Sequence, residues 1–90
     1  MEQKLPNGIT REHILQAIED LYHGIEHRFS ESTGYDVLFE GKRFPPKAVI
    51  GLAAEQLTGF SFGPYDFKGG LGSKCFSILK SEGFEIVQKI

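Results

Sequence analysis

Two consecutive prolines, Pro45 and Pro46, constrain this chain more than any other feature. Proline lacks the N–H that the interior of a strand or helix needs, so a pair of them stands where one element stops and another opens. A helix tolerates proline in its first turn, where the N–H groups have no partner anyway. The residues that follow, "KAVIGLAAEQLTG", continue as that helix. Val49, Leu52, Ala53 and Leu57 form its apolar stripe, and Ala48, Gly51 and Ala54 are small enough to admit a close neighbour. Gly59 ends the helix, which spans 45–58. The residues before the prolines, "YDVLFEGKRF", read as a hairpin over 35–44: Tyr35, Val37 and Phe39 alternate on one side, Glu40-Gly41 turns, and "KRF" returns.

The other elements follow from the same periodicities. Thr10 is an N-cap residue, and Ile9 before it can staple onto Ile14. Ile14, Ile18, Leu21, Tyr22 and Ile25 recur at helical spacing, and Gly24 ends a helix over 10–24. Residues 25–34 are polar and read as a loop or a short helical turn. "FSFGPYDFKGGLG" is a loop dense in aromatics and glycines, after which Ser73 caps a third helix with Phe76 and Leu79 inward, ended by Gly83. "FEIVQKI" is a final strand over 84–90. The expected architecture is α+β: a small antiparallel three-stranded sheet packed with three helices, in the order α-β-β-α-α-β. Strand order is open, and a winged-helix-like arrangement is the alternative. Residues 1–9 read as an N-terminal tail and 10–90 as a single domain.

Composition excludes several classes. The chain has 90 residues, a size that supports one core. There is no apolar run near the ~20 residues of a membrane span and no signal-peptide core, so no membrane partner is expected. One cysteine, Cys75, excludes an internal disulfide and a CxxC zinc site, which makes a reducing, cytoplasmic setting the expectation. The net charge of −2 argues against gripping nucleic acid by bulk electrostatics, but the charge is polarised. Residues 1–40 hold three cations against eight carboxylates, whereas 41–80 hold six cations against two.

Catalytic signatures are weak. His23 and His27 lie at i, i+4, a spacing that can bind metal, but Gly24 intervenes and no third ligand stands out beyond Glu26 and Glu31 nearby. His13 sits beside the apolar stripe of the first helix, and all three read better as surface histidines. Cys75 follows Lys74 at a helix start, where a thiol can become acidic, yet its apolar-periodic position favours the core. "GGLGSK" lacks the spacing of a phosphate-binding P-loop. No cofactor or metal is called for, and an enzyme is not expected.

Anion binding has more behind it. In "FKGGLGSK", glycines precede a helix start between Lys68 and Lys74, so backbone N–H groups of Gly69 and Gly70 and the Ser73 cap could cradle a phosphate. Equally, those glycines could serve only to turn the chain. Lys42, Arg43 and Lys47 form a second cationic cluster at the start of helix 45–58. Two such helix starts side by side would make a phosphate-tracking surface. Phe44, Tyr65 and Phe67 could stack on a base; Phe44 and Phe67 read more readily as core, and Tyr65 is the least committed to it.

These motifs, in this order, resemble the N-terminal head domain of McrA-like (ScoMcrA-like), HNH-type, modification-dependent (type IV) restriction endonucleases. The matching pieces are 41–44, 46–53, 67–70, Ser73 and 83–87, with "TREHILQAI" at the front. Pro45-Pro46 departs from the Asp-Ser that many such domains carry there. No SRA-like, sulfur-binding or HNH segment occurs in these 90 residues. The resemblance implies an accessory domain of a nuclease, acting in defence against modified foreign DNA, with double-stranded DNA and a nuclease domain or subunit as partners. Phosphate contacts would fall to Lys42, Arg43, Lys47, Lys68, Gly69, Gly70, Ser73 and Lys74, and base contacts to Phe44 and Tyr65. The alternative is a protein-interaction or dimerisation module using loop 60–67 and the acidic first helix.

Overall fold

The threonine expected to cap the first helix does so, and with a partner. Thr10 accepts from the His13 N–H through its hydroxyl, while the Thr10 N–H donates to His13 Nδ1 at 3.0 Å. This reciprocal pair satisfies two of the donors that a helix start leaves open. The computed structural model describes residues 5–29 and 34–89, and in it α1 runs Arg11–Tyr22. Ile9 and Ile14, the two ends of the expected staple, are both buried. Gly24, at φ 84°, turns the chain just past the helix. Of the stripe, Ile14 and Ile18 are buried and Leu21 packs half-buried against the core, whereas Tyr22 and Ile25 are exposed.

β1 (Tyr35–Phe39) and β2 (Lys42–Phe44) form the expected hairpin, and β3 (Glu85–Gln88) pairs antiparallel with β1 on its other side. The order is therefore β2-β1-β3, the point that periodicity left open. Register places Val37 opposite both Phe44 and Ile86, so these three share the face that packs on the helices. Arg43 pairs with Leu38 and points to the other face, where its guanidinium donates to Asp36 Oδ2 and to the Gln88 carbonyl, each at 3.2 Å. One side chain on β2 thus crosses β1 to reach β3. The final strand is shorter than the expected 84–90. Phe84 precedes it as a buried core residue, and residue 90 lies outside the described residues, as do 1–4 and 30–33.

The helix opened by the prolines is the centre of the molecule. α2 spans Pro46–Thr58 with Pro45 as its N-cap and Gly59, at φ 78°, as its C-cap. Every residue from Pro46 to Ala54 except Lys47 is buried, so α2 is apolar nearly all round rather than along one stripe. Leu57, assigned to the stripe by spacing, is exposed because the helix emerges from its neighbours near that point. Gly51 is small for a specific reason: a Cβ there would lie 2.7 Å from Phe29 Cε2. α3 (Lys74–Ser81) starts at Ser73, whose hydroxyl accepts the Phe76 N–H at 3.2 Å. Its inward side adds Cys75, Phe76 and Leu79 to the core. The expected class and element order, α-β-β-α-α-β around a three-stranded sheet, are those of the structure.

The described residues before α1 also reach the body, through Leu5 and Ile9. Leu5 is buried, and its carbonyl accepts from the Lys74 ammonium at 3.2 Å. Arg11 ties α1 to the far end of α3, donating to the Glu82 carbonyl at 2.8 Å and lying over the Phe84 ring at 4.7 Å.

Candidate nucleic-acid interface

The start of α2 and the start of α3 meet. Cys75 Sγ lies 3.7 Å from the Pro46 carbonyl, which brings the first turns of the two helices together at one end of the molecule. The two starts are not equally open. At α2 the prolines carry no N–H, and Ala48 is fully buried. At α3 the Ser73 hydroxyl serves Phe76, while the N–H groups of Lys74 and Cys75 find no acceptor among the described residues.

Lys47 sits between this junction and the glycine-rich loop. Its ammonium donates to the Pro64 carbonyl and lies 5.3 Å from the centre of the Phe67 ring. Its stem runs so close over Gly69 that a Cβ there would be 2.8 Å from Lys47 Cγ. Lys47 therefore braces two parts of the loop while leaving its positive charge at the junction. The bracing explains Gly69 in steric terms. Gly70 and Gly72 have positive φ, 93° and 81°, and the loop needs them to turn into α3.

Lys74 is turned toward the N-terminal segment, with Leu5 O at 3.2 Å and Asn7 Oδ1 at 3.1 Å. Both acceptors are neutral, so the charge is not cancelled. Lys68 is exposed and makes no hydrogen bond or ion pair among the described residues. Loop and helix start thus gather Lys47, Lys68, Gly69, Gly70, Ser73 and Lys74 in one region, with no carboxylate paired to any of these lysines among the described residues.

Lys42, Arg43 and Phe44 go elsewhere. Lys42 lies 5.3 Å above the Tyr22 ring, over a cleft of about 530 Å³ lined by Ile18, Tyr22, Phe39, Lys42 and Phe44. Arg43 is committed to Asp36 on the outer face of the sheet, at 3.2 Å. Phe44 is only 7% exposed and belongs to the core, as does Phe67. The cluster that is contiguous in sequence is divided because strand alternation sends Lys42 and Arg43 to opposite faces, while Lys47 stands a turn of helix away.

Tyr65 is 98% exposed on a turn over 63–66. That turn is closed twice, by the Asp66 N–H on the Gly63 carbonyl at 3.1 Å and by the Gly63 N–H on the Asp66 carboxylate at 2.7 Å. Leu71, which sequence reasoning passed over, is 68% exposed on the next turn. Its signal in the sequence was a leucine between two glycines with no periodic partner.

The candidate catalytic and metal groups have structural occupations. His13 caps α1, His23 lies 3.6 Å from Glu19, and His27 Nδ1 accepts the Phe29 N–H at 3.1 Å. Among the described residues no group of three or more His, Cys, Asp or Glu could hold a metal; Glu31 lies outside them. Burial raises the Cys75 thiol from 9.0 to about 12, against a small lowering by the Lys47 charge, so it is not an activated nucleophile at neutral pH. Among the described residues no helix is long and apolar enough to cross a membrane.

A central buried helix, a three-stranded sheet and a glycine-rich loop with lysines at one end define a small α+β module. The chain belongs to the ScoMcrA-like N-terminal head domain family, which it matches over residues 7–88. No curated protein and no solved structure matched it.

Proposed function

We propose that this domain is a non-catalytic DNA-binding module that helps a restriction endonuclease recognise modified DNA in defence against foreign DNA. The observation that carries the proposal is its membership of a head-domain family over nearly its whole length. The gathering of unneutralised lysines around the start of α3 supports it in physical terms. An N–H-rich helix start and neighbouring cations suit the phosphate backbone, whose neutralisation releases counterions.

In this reading Lys68, Lys74 and the backbone of Gly69 and Gly70 touch phosphates, Ser73 holds the helix start open to them, and Lys47 contributes charge from behind. Lys42 serves a second stretch of backbone from its face of the hairpin, while Arg43, held by Asp36 on the opposite face, adds charge to the edge of the sheet. Tyr65 reaches a base, and Phe44 forms the wall behind Lys42. Partners are double-stranded DNA and a nuclease domain or subunit, in the cytoplasm.

The test is binding of the domain to matched plain, 5-methylcytosine, 5-hydroxymethylcytosine and phosphorothioate duplexes at two ionic strengths. Affinity should fall steeply with salt, with one modified duplex preferred. Absence of binding to every duplex at low salt, or affinity indifferent to salt, would overturn the proposal. The exposure of Leu57 and Phe60 favours a second reading, a protein-interaction module, for which salt-insensitive association is the expected signature.

A further inference from the structure

Four of the six exposed large apolar side chains among the described residues, Leu57, Phe60, Tyr65 and Leu71, fall between 57 and 71. They are not equivalent. Phe60 leans edge-on against the buried Phe62, at 4.8 Å between ring centres. Tyr65 and Leu71 project from the two turns nearest the cationic helix start.

The turn that carries Leu71 is rigid. The Ser73 N–H donates to the Gly70 carbonyl at 3.2 Å, and the Ser73 hydroxyl donates to the same oxygen at 2.7 Å. Leu71 occupies the second position of this four-residue turn, and Gly72 at φ 81° occupies the third, as a type II turn requires. A turn corner this close to a helix cap ordinarily carries a polar residue. Here it carries a leucine that is 68% exposed, on a turn closed by the same serine that caps α3.

Lys47 spans the loop between the two turns, its stem packing on Gly69 just before the turn of Leu71 and its ammonium holding the Pro64 carbonyl beside Tyr65. Two exposed apolar side chains are thus carried on one loop, with the exposed Lys68 on the segment between them. A stable protein–protein interface needs a continuous patch of roughly 800 Å² per partner. Separate projections among cations fit a nucleic acid better: the cations hold the phosphates while one side chain enters between base pairs.

We infer that Leu71 is a wedge that inserts at a base step of bound double-stranded DNA, unstacking it. This inference rests on the DNA-binding reading above and adds to it the site and the deformation. Insertion would be easiest at pyrimidine–purine steps, which unstack at the lowest cost. An opened step also makes an adjacent base more accessible for reading.

The experiment uses short duplexes carrying 2-aminopurine at each position in turn, whose emission rises when the base unstacks. Affinity is measured in parallel by gel shift. The wild-type domain should raise emission several-fold at a small number of positions, concentrated at pyrimidine–purine steps. Leu71→Ala should abolish that rise while changing affinity by less than about tenfold, and Leu71→Met should restore it. Tyr65→Ala should leave the rise at that step in place. Failure of the wild type to bind any duplex overturns the DNA reading itself. Binding without an emission rise, or with one that persists in Leu71→Ala, overturns the wedge alone.

Discussion

Phe29, Gly51 and Lys47 show how much of this molecule depends on single side chains fitting single gaps. A methyl group on Gly51 would enter the Phe29 ring, which is itself buried against Phe67 at 5.9 Å between centres. Gly51→Ala should therefore destabilise the fold by about 1–3 kcal/mol, although alanine is the better helix former. Urea unfolding would register a lower midpoint with an unchanged slope. Cys75 makes a prediction with pH. Its thiol stays neutral in the folded protein up to about 12, whereas the unfolded chain ionises from 9.0. Between those values the unfolded state holds fewer protons, so stability falls as pH rises, by up to about 1.4 kcal/mol per pH unit. Below that window Cys75 contributes no pH dependence. Unfolding midpoints measured at about pH 8 and about pH 10 should diverge in the wild type, and Cys75→Ala should lose that part of the divergence. At this scale the sequence was partly readable: Thr10, Ser73 and the core status of Cys75, Phe44 and Phe67 followed from position. The Phe29–Gly51 contact did not, because it joins a loop to a helix 22 residues away, and local spacing carries no trace of it.

The turn between β1 and β2 is the element whose local chemistry is least comfortable. Glu40 has φ 51° and Gly41 φ 77°, the pair of left-handed residues that a tight hairpin needs. Glutamate adopts that region at a cost of roughly 1 kcal/mol, which asparagine or glycine would reduce. Glu40→Asn should raise the thermal midpoint by a few degrees, read by circular dichroism, with the hairpin unchanged. An unchanged or lowered midpoint would mean that the Glu40 side chain is needed where it stands. Elements were the most legible level of this chain, since capping residues, alternation and helical period each act over a few neighbours. Strand order was not legible. It depends on β3, which lies beyond α2 and α3 in the chain, returning beside β1, a long-range outcome seen in Val37 meeting Ile86. The packing of α2 was legible in part: Ala48, Gly51 and Ala54 read as small enough to admit a close neighbour and are buried, whereas Leu57, read as part of the stripe, is exposed.

At the scale of the whole molecule, which measures 30 × 27 × 23 Å, the distribution of charge decides more than its total. Five of the six cations of 41–80 lie at two places, Lys42 and Arg43 on opposite faces of the hairpin, and Lys47, Lys68 and Lys74 about the junction of α2 and α3; the sixth, Lys80, lies in the last turn of α3. Reversing the exposed Lys68 to Glu should weaken binding to all duplexes alike and flatten the salt dependence by about one ion, with no change in stability. A gel-shift series over ionic strength checks this, and undiminished affinity would remove Lys68 from the interface. Lys47 and Lys74 do stand in the first turns of their helices, as spacing indicated, but Lys42 and Arg43 lie on β2 and part to opposite faces, because strand alternation separates neighbours that are contiguous in sequence. The attachment of Lys74 to Leu5 and Asn7 has a practical corollary. A fragment trimmed to the family boundary at residue 7 would lose a plug that is only 5% exposed, together with one of the two oxygens anchoring that ammonium. Such a truncation would leave a hollow at the core's margin and swing a cation toward solvent, so shortened and longer preparations should differ in both melting and ligand capture.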